Sequence, residues 1–156
     1  MLIDLNDIIE CIEHEGELLT HYYNKETGVI IYITAEKESE YKASDINRLD
    51  DFEDWQQEII LMISDFEKNP EKYIQLPTIK ELDEYEIMLT FITDFLEDEE
   101  AKAKLIECTK DKNPYRKVRE GMENLGLLND WYDYREAAEE AIAINWCDEN
   151  NIEYEA

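Results

Sequence analysis

The chain has 156 residues and a formal net charge of −26, from 41 acidic and 15 basic residues. That charge disfavours general DNA or RNA binding, because phosphate contacts need a cationic face that releases counterions. A hydrophobic content of 44%, with ten Tyr, four Phe and three Trp, argues against disorder, and four Gly and three Pro favour long helices over many short strands.

The length fits a single domain over 1–156, large enough to bury a core without disulfides or a metal. Cys11, Cys108 and Cys147 are odd in number, far apart and outside any C-x-x-C pair, the pattern of reduced thiols in a cytoplasmic protein. The start, MLIDLNDIIE, carries acids where a signal peptide carries bases. No run approaches the roughly 18 apolar residues of a membrane span. The expectation is a cytoplasmic protein without membrane contact.

Leu5, Ile8, Ile9 and Ile12 repeat at helical spacing, with Asp4 as N-cap, and the helix should end near His14 to Gly16. His14 and His21 have no evident ligand set and read as ordinary surface or packing histidines. Leu18 to Tyr23 and Val29 to Thr34 are rich in β-branched and aromatic residues, and Asn24-Lys25-Glu26-Thr27-Gly28 between them reads as a hairpin loop. VIIYIT would be a sticky edge if left open.

Ala35 to Asp54 is polar and reads as a loop with a helical turn near Ser44 to Leu49, anchored by Ile46, Leu49 and Phe52. Asp50, Asp51, Glu53 and Asp54 lack the framework of a calcium loop and suit the start of the next helix. Trp55, Ile59, Met62, Ile63 and Phe66 form its apolar stripe, ending near Asn69-Pro70. Tyr73 to Leu76 is extended before Pro77 and could add a third strand to the hairpin.

Thr78 and Glu81 fit a capping box for a helix carrying Tyr85, Met88, Leu89, Ile92 and Phe95. Asp98 can cap the next helix, with Glu99 and Glu100 in its first turn and Lys110 at its far end. Asn113 and Pro114 open another, striped by Tyr115, Val118, Met122 and Leu125 and closed by Gly126. Asn129 then caps a last helix with Trp131, Tyr134, Ala138, Ala141, Ile142, Ile144 and Trp146 on its apolar face. Ala137, Ala138, Ala141 and Ala143 would permit close helix approach. Asn150 ends that helix, and Ile152 and Tyr154 fold back. The predicted fold is mainly α: a compact helical bundle of about five to six helices with a small N-terminal β-hairpin.

LNDIIECIE, YYNKETGVIIYI, YIQLP, DEYEIMLTFI and NPYRKVREGMENLG…WYDYREAAEEAIAINWCDENNIEY together span nearly the whole chain. With these landmarks it resembles the bacterial "uncharacterised protein family 0158". Relatives commonly carry a glycine, small-residue and phenylalanine run where this chain has Lys112 to Tyr115, so the local turn there can differ. The resemblance implies a fold and a bacterial origin, and no biochemical activity.

Five basic residues fall between Lys110 and Arg119, around a helix N-terminus that favours anions. Arg116, Lys117 and Arg119, with Arg135 facing them from the next helix, are the candidate anion- or nucleic-acid-binding residues; the competing reading pairs them with neighbouring acids such as Glu120, Glu136, Glu139 and Glu140. Glu136, Glu139, Glu140 and Asp148 echo the E-E-x-x-E carboxylates of helical nucleotide pyrophosphohydrolases, at the wrong spacing. No G-x-G-x-x-G, Walker A, H-E-x-x-H or G-x-S-x-G motif is present, and no metal or cofactor is expected.

These readings favour a non-catalytic cytosolic interaction protein, a homodimer that self-associates through an apolar helix face or the hairpin edge, with room for a protein partner. One alternative is a nucleic-acid- or nucleotide-processing protein using the basic helix start. Another is an acidic decoy for a basic partner.

Overall fold

The computed structural model describes residues 2–13, 19–79 and 81–156, and at 35, 81 and 82 the backbone alone. The protein is mainly α, 66% helical with small sheets, and has slightly more helices than the sequence suggested. It divides into two compact units, Met1–Thr78 with Trp146–Ala156 and Ile79–Asn145.

In the first unit, β1 (Leu2–Asp4) runs directly into α1 (Leu5–Glu13). Asp4 Oδ1 accepts the Asn6 N–H at 2.8 Å, and the expected spacing buries Leu5, Ile8 and Ile12. The end of this helix near His14 to Gly16 lies outside the described residues. The hairpin forms as β2 (Leu19–Asn24) and β3 (Ile30–Thr34), antiparallel, with His21 opposite Tyr32. Its turn is held by Asn24, whose Oδ1 accepts the N–H groups of Glu26 (2.9 Å) and Thr27 (3.3 Å). Gly28 closes it at φ +73°, a backbone state that favours glycine. The third strand is β4 (Tyr73–Gln75), on the other side of β2, giving the order β3-β2-β4. The chain's end supplies β5 (Glu153–Glu155), which pairs in parallel with β1.

The segment expected to be mostly loop is more ordered than its polarity suggests. Thr34 accepts the Lys37 N–H at 3.0 Å and so caps α2 (Ala35–Glu40). A 3₁₀ segment, Ala43–Asp51, contains the expected turn. Ile46, Leu49 and Phe52 pack against the buried Tyr41, Ile60 and Ile63. The last two lie on α3 (Asp54–Lys68), and each buried isoleucine contributes about 1.5–3 kcal/mol. Trp55 is not part of this stripe: it is 57% exposed, and its indole N–H donates to Glu53 at 3.0 Å. Phe66 packs its ring 4.6 Å from Tyr22 and 5.3 Å from Tyr73, which seats α3 on the sheet. Trp146 meets Tyr23 edge-on at 5.9 Å and donates its indole N–H to the Gln75 carbonyl at 3.0 Å.

In the second unit, α4 (Glu81–Thr90) passes into a π-helical turn, Phe91–Phe95. The pairing of Thr78 with the Glu81 side chain lies outside the described residues. The π turn adds a residue to the helical period and changes which face is inside: Phe91 is fully buried, whereas Phe95, expected in the core, is 50% exposed. Then come α5 (Glu99–Cys108), α6 (Pro114–Asn124) and α7 (Leu128–Glu149), whose last turn belongs to the first unit. Asp98 caps α5 by accepting from Glu100 and Ala101, and Asn113 caps α6 by accepting from Arg116. The core is Met88, Phe91, Ile92, Leu96, Leu105, Val118, Met122 and Trp131.

Gly126, at φ +70°, donates to Glu123 and Leu127 donates to Met122, the two bonds of a Schellman closure. That turn is so tight that the Leu127 carbonyl already accepts the Trp131 N–H at 3.0 Å. α7 therefore begins at Leu128, and Asn129 is inside it rather than its cap. Of the alanines expected at a close helix contact, Ala143 is fully buried, while Ala137 and Ala141 are exposed.

Candidate functional site

The basic residues divide into three groups. Arg116 turns along its own helix, its Nε 3.3 Å from Glu120 Oε1, and is largely exposed. Lys117 lines a groove of about 410 Å³ between α5 and α6, with Lys104, Cys108 and Gly121. Gly121 permits that approach: a Cβ there would stand 3.0 Å from Leu105 Cδ2 and 3.2 Å from Cys108 Sγ.

Arg119 and Arg135 do come together, on Tyr132. Their guanidinium carbons lie 5.8 and 5.2 Å from its ring centre, and Arg119 Nη2 donates to the Tyr132 hydroxyl at 2.8 Å. Arg135 is engaged by acids, its Nη1 3.2 Å from Glu84 Oε1 and its Nε 3.7 Å from Glu139 Oε1. Glu84 also accepts the Tyr115 hydroxyl at 2.8 Å. Burial first, and the Glu84 carboxylate second, push Tyr115 up to about 12. An anion would have to compete with two carboxylates at Arg135, whereas Arg119 spends one of its five donors on Tyr132. Sequence spacing places Glu139 one turn after Arg135, but nothing local points to Glu84.

Glu136 and Glu140 are exposed while Glu139 is buried. Among the described residues no group of three or more His, Cys, Asp or Glu side chains is placed to hold a metal ion. Among the described residues Cys11, Cys108 and Cys147 form no disulfide, and burial, with Asp148 next, raises the pKa of Cys147. Its thiolate is therefore disfavoured. His14 lies outside the described residues, and His21 sits on β2 with its ring 6.3 Å from that of Tyr32.

The first unit presents a different surface. Among the described residues β3 pairs with β2 on one side only. The Asn24 N–H bonds to the Val29 carbonyl at 2.9 Å, so strand alternation turns the backbone groups of Ile30 and Tyr32 away from β2. Val29 and Tyr32 are 53% and 49% exposed. Where β3 begins, a cleft of about 400 Å³ separates it from β1 and α1, lined by Asp4, Asp7 and Glu10 together with the exposed Leu2. In sequence Asp4 reads as the N-cap of α1, and Asp7 only as an acid where a signal peptide carries bases.

Fold and surface together define a mainly α protein with a small three-stranded sheet in which, among the described residues, β3 is an edge strand. The chain belongs to the Uncharacterised protein family (UPF0158), whose family model matches residues 1–156. No curated relative matches it, and no solved structure matches it. Among the described residues no helix is long and apolar enough to cross a membrane.

Proposed function

We propose that this protein is a non-catalytic, cytoplasmic interaction protein that engages its partner through the open edge of β3. One observation carries the reading: an edge strand with β2 on one side, outward backbone groups at Ile30 and Tyr32, and exposed side chains at Val29 and Tyr32. Such an edge accepts a further strand through main-chain hydrogen bonds. Three cysteines, odd in number and far apart in sequence, support a reducing compartment. The test is a panel of short extended peptides of acidic, neutral and basic composition, offered to wild type and to Tyr32→Pro. The proline removes an outward N–H and leaves the β2 ladder intact. At least one class should bind wild type and lose binding to the variant. No binding by any class, or equal binding to both proteins, would refute the edge.

Self-association at the same edge is the second reading, favoured by the apolar exposure of Val29 and Tyr32. Two chains of −26 repel one another, so such a dimer should strengthen with salt. Sedimentation at high micromolar concentration that finds only monomer at low and high salt would remove it.

A further inference from the structure

We propose that the cleft between the turn of the β2–β3 hairpin and the start of β5 binds a small zwitterion of the α-amino acid class. The cleft is about 430 Å³ and is lined by Tyr23, Lys25, Asn150, Asn151, Ile152 and Glu153, all in the first unit. Small-molecule sites run from roughly 300 to 1,000 Å³, and a few polar groups fix their specificity. None of the six residues belongs to β3, so the site is independent of the edge reading.

Tyr23 is the residue that points to a ligand. Its ring lies edge-on to Trp146 at 5.9 Å, and it is only 4% exposed. Among the described residues its hydroxyl has no hydrogen-bond partner, whereas a buried tyrosine hydroxyl ordinarily finds one. Tyr73 and Tyr115, less deeply buried, both donate to carboxylates. A molecule seated in the cleft that Tyr23 lines would supply the missing partner.

Lys25 and Glu153 provide the two charges. They lie on different elements of the cleft wall, and among the described residues neither forms an ion pair. Glu26, next to Lys25, is instead 3.3 Å from Lys72 Nζ. Asn150 donates from its side-chain amide to the Trp146 carbonyl at 2.8 Å, which leaves its amide oxygen as an acceptor. The end of α7 accounts for Asn150 and for Asn151, which stops the helix at φ +55°. It does not account for the Tyr23 hydroxyl, nor for a cation and a carboxylate that share a cleft without pairing. An α-amino acid brings a carboxylate for Lys25 and an ammonium for Glu153, where the negative end of α7 adds to the attraction. The net charge of −26 repels a simple anion but exerts little net force on a zwitterion.

The experiment titrates the isotope-labelled full-length protein with L-serine and L-leucine, and with the methyl ester and the N-acetyl form of each, following backbone amide shifts. At least one amino acid should shift the Lys25, Asn151 and Glu153 amides saturably at millimolar concentration. Removing either ligand charge should weaken binding about threefold to fivefold, the weight of one partly exposed charge pair. Lys25→Gln should weaken the amino acid as much and leave the methyl ester unchanged. Glu153→Gln should weaken the amino acid as much and leave the N-acetyl form unchanged. Tyr23→Phe, which keeps the ring, should weaken the amino acid about fivefold. Circular dichroism confirms that each variant is folded, and the ligand series on wild type needs no variant.

The absence of saturable shifts with both amino acids overturns the site. An ester or N-acetyl form that binds as tightly as its parent overturns the zwitterion. So does an ester that loses as much affinity in Lys25→Gln as its parent does. Unchanged affinity in Tyr23→Phe also overturns the proposal, which rests on that hydroxyl.

Discussion

Trp131 is among the largest fully buried side chains, and among the described residues its indole N–H has no hydrogen-bond partner. An orphaned buried donor costs about 1–3 kcal/mol. Its ring must offset that by packing, which includes an edge contact to Phe91 at 5.6 Å. Trp131→Phe loses ring volume but removes the stranded donor, so it should cost about 1 kcal/mol, whereas Trp131→Ala should cost about 3–5 kcal/mol. Urea denaturation of the two variants measures both, and a Trp131→Phe loss well above about 1 kcal/mol would show that the stranded N–H costs little. Burial of Trp131 was legible from its helical stripe; its missing partner was not. Trp55 fails in the opposite direction: it keeps the spacing of a core residue, yet its indole satisfies itself on Glu53 and stays in water. Arg119 and Arg135 were legible as neighbours, whereas Glu84, 51 positions before Arg135, was not, because no local pattern encodes that distance.

At the scale of elements, the junction of α3 and β4 is held by Asp65. Tyr73 donates its hydroxyl to one carboxylate oxygen, and Asn69 (2.9 Å) and Lys72 (3.3 Å) reach the other. The Tyr73 bond is the largest cause holding Asp65 below the usual carboxylate range. Burial first, then Asp65, push Tyr73 up to about 12. The signs differ. The Asp65 contribution is present above its unfolded value near about 3.9 and is lost as pH falls through the folded one. The Tyr73 contribution is present below about 10 and is lost as pH rises toward about 12. Tyr73→Phe should therefore flatten part of the alkaline limb, Tyr115 supplying another part, and should soften the acid limb. At pH about 7 it should cost about 1.5 kcal/mol, the low end for a bond to a charged group, because Asp65 is 35% exposed. Denaturation series at acid, neutral and alkaline pH would find unchanged limbs if the bond has no weight. Elements with local signals, such as the caps Asp98 and Asn113 and the turn at Gly28, were readable in sequence. The parallel pairing of β1 with β5 was not, since it joins the two ends of the chain. Nor was α2, whose AEKESE composition hides a helix made by the Thr34 cap.

For the whole molecule, charge is the most legible property and its placement the least. Composition fixes −26, yet no rule of spacing shows that Asp4, Asp7 and Glu10 line one cleft with the start of β3. The same charge sets how stability should respond to salt. Exposed ion pairs such as Lys104–Glu100, Lys110–Glu107 and Arg116–Glu120 are each worth about 0–1 kcal/mol, and screening removes little when it weakens them. Repulsion among the surplus acids acts over longer distances. Its reach falls from about 30 Å at about 0.01 M salt to about 10 Å at about 0.1 M. The folded chain concentrates that charge more than the unfolded one, so screening favours folding. Raising sodium chloride from about 0.01 M to about 0.3 M should stabilise the protein by about 1–2 kcal/mol, seen as a rise in Tm of about 3–6 °C for a chain of this size. Potassium chloride should give the same rise, since screening does not depend on which monovalent cation supplies it. A flat or falling Tm would mean that the ion pairs outweigh the repulsion. A rise with only one of the two salts would instead indicate an ion bound at a specific place.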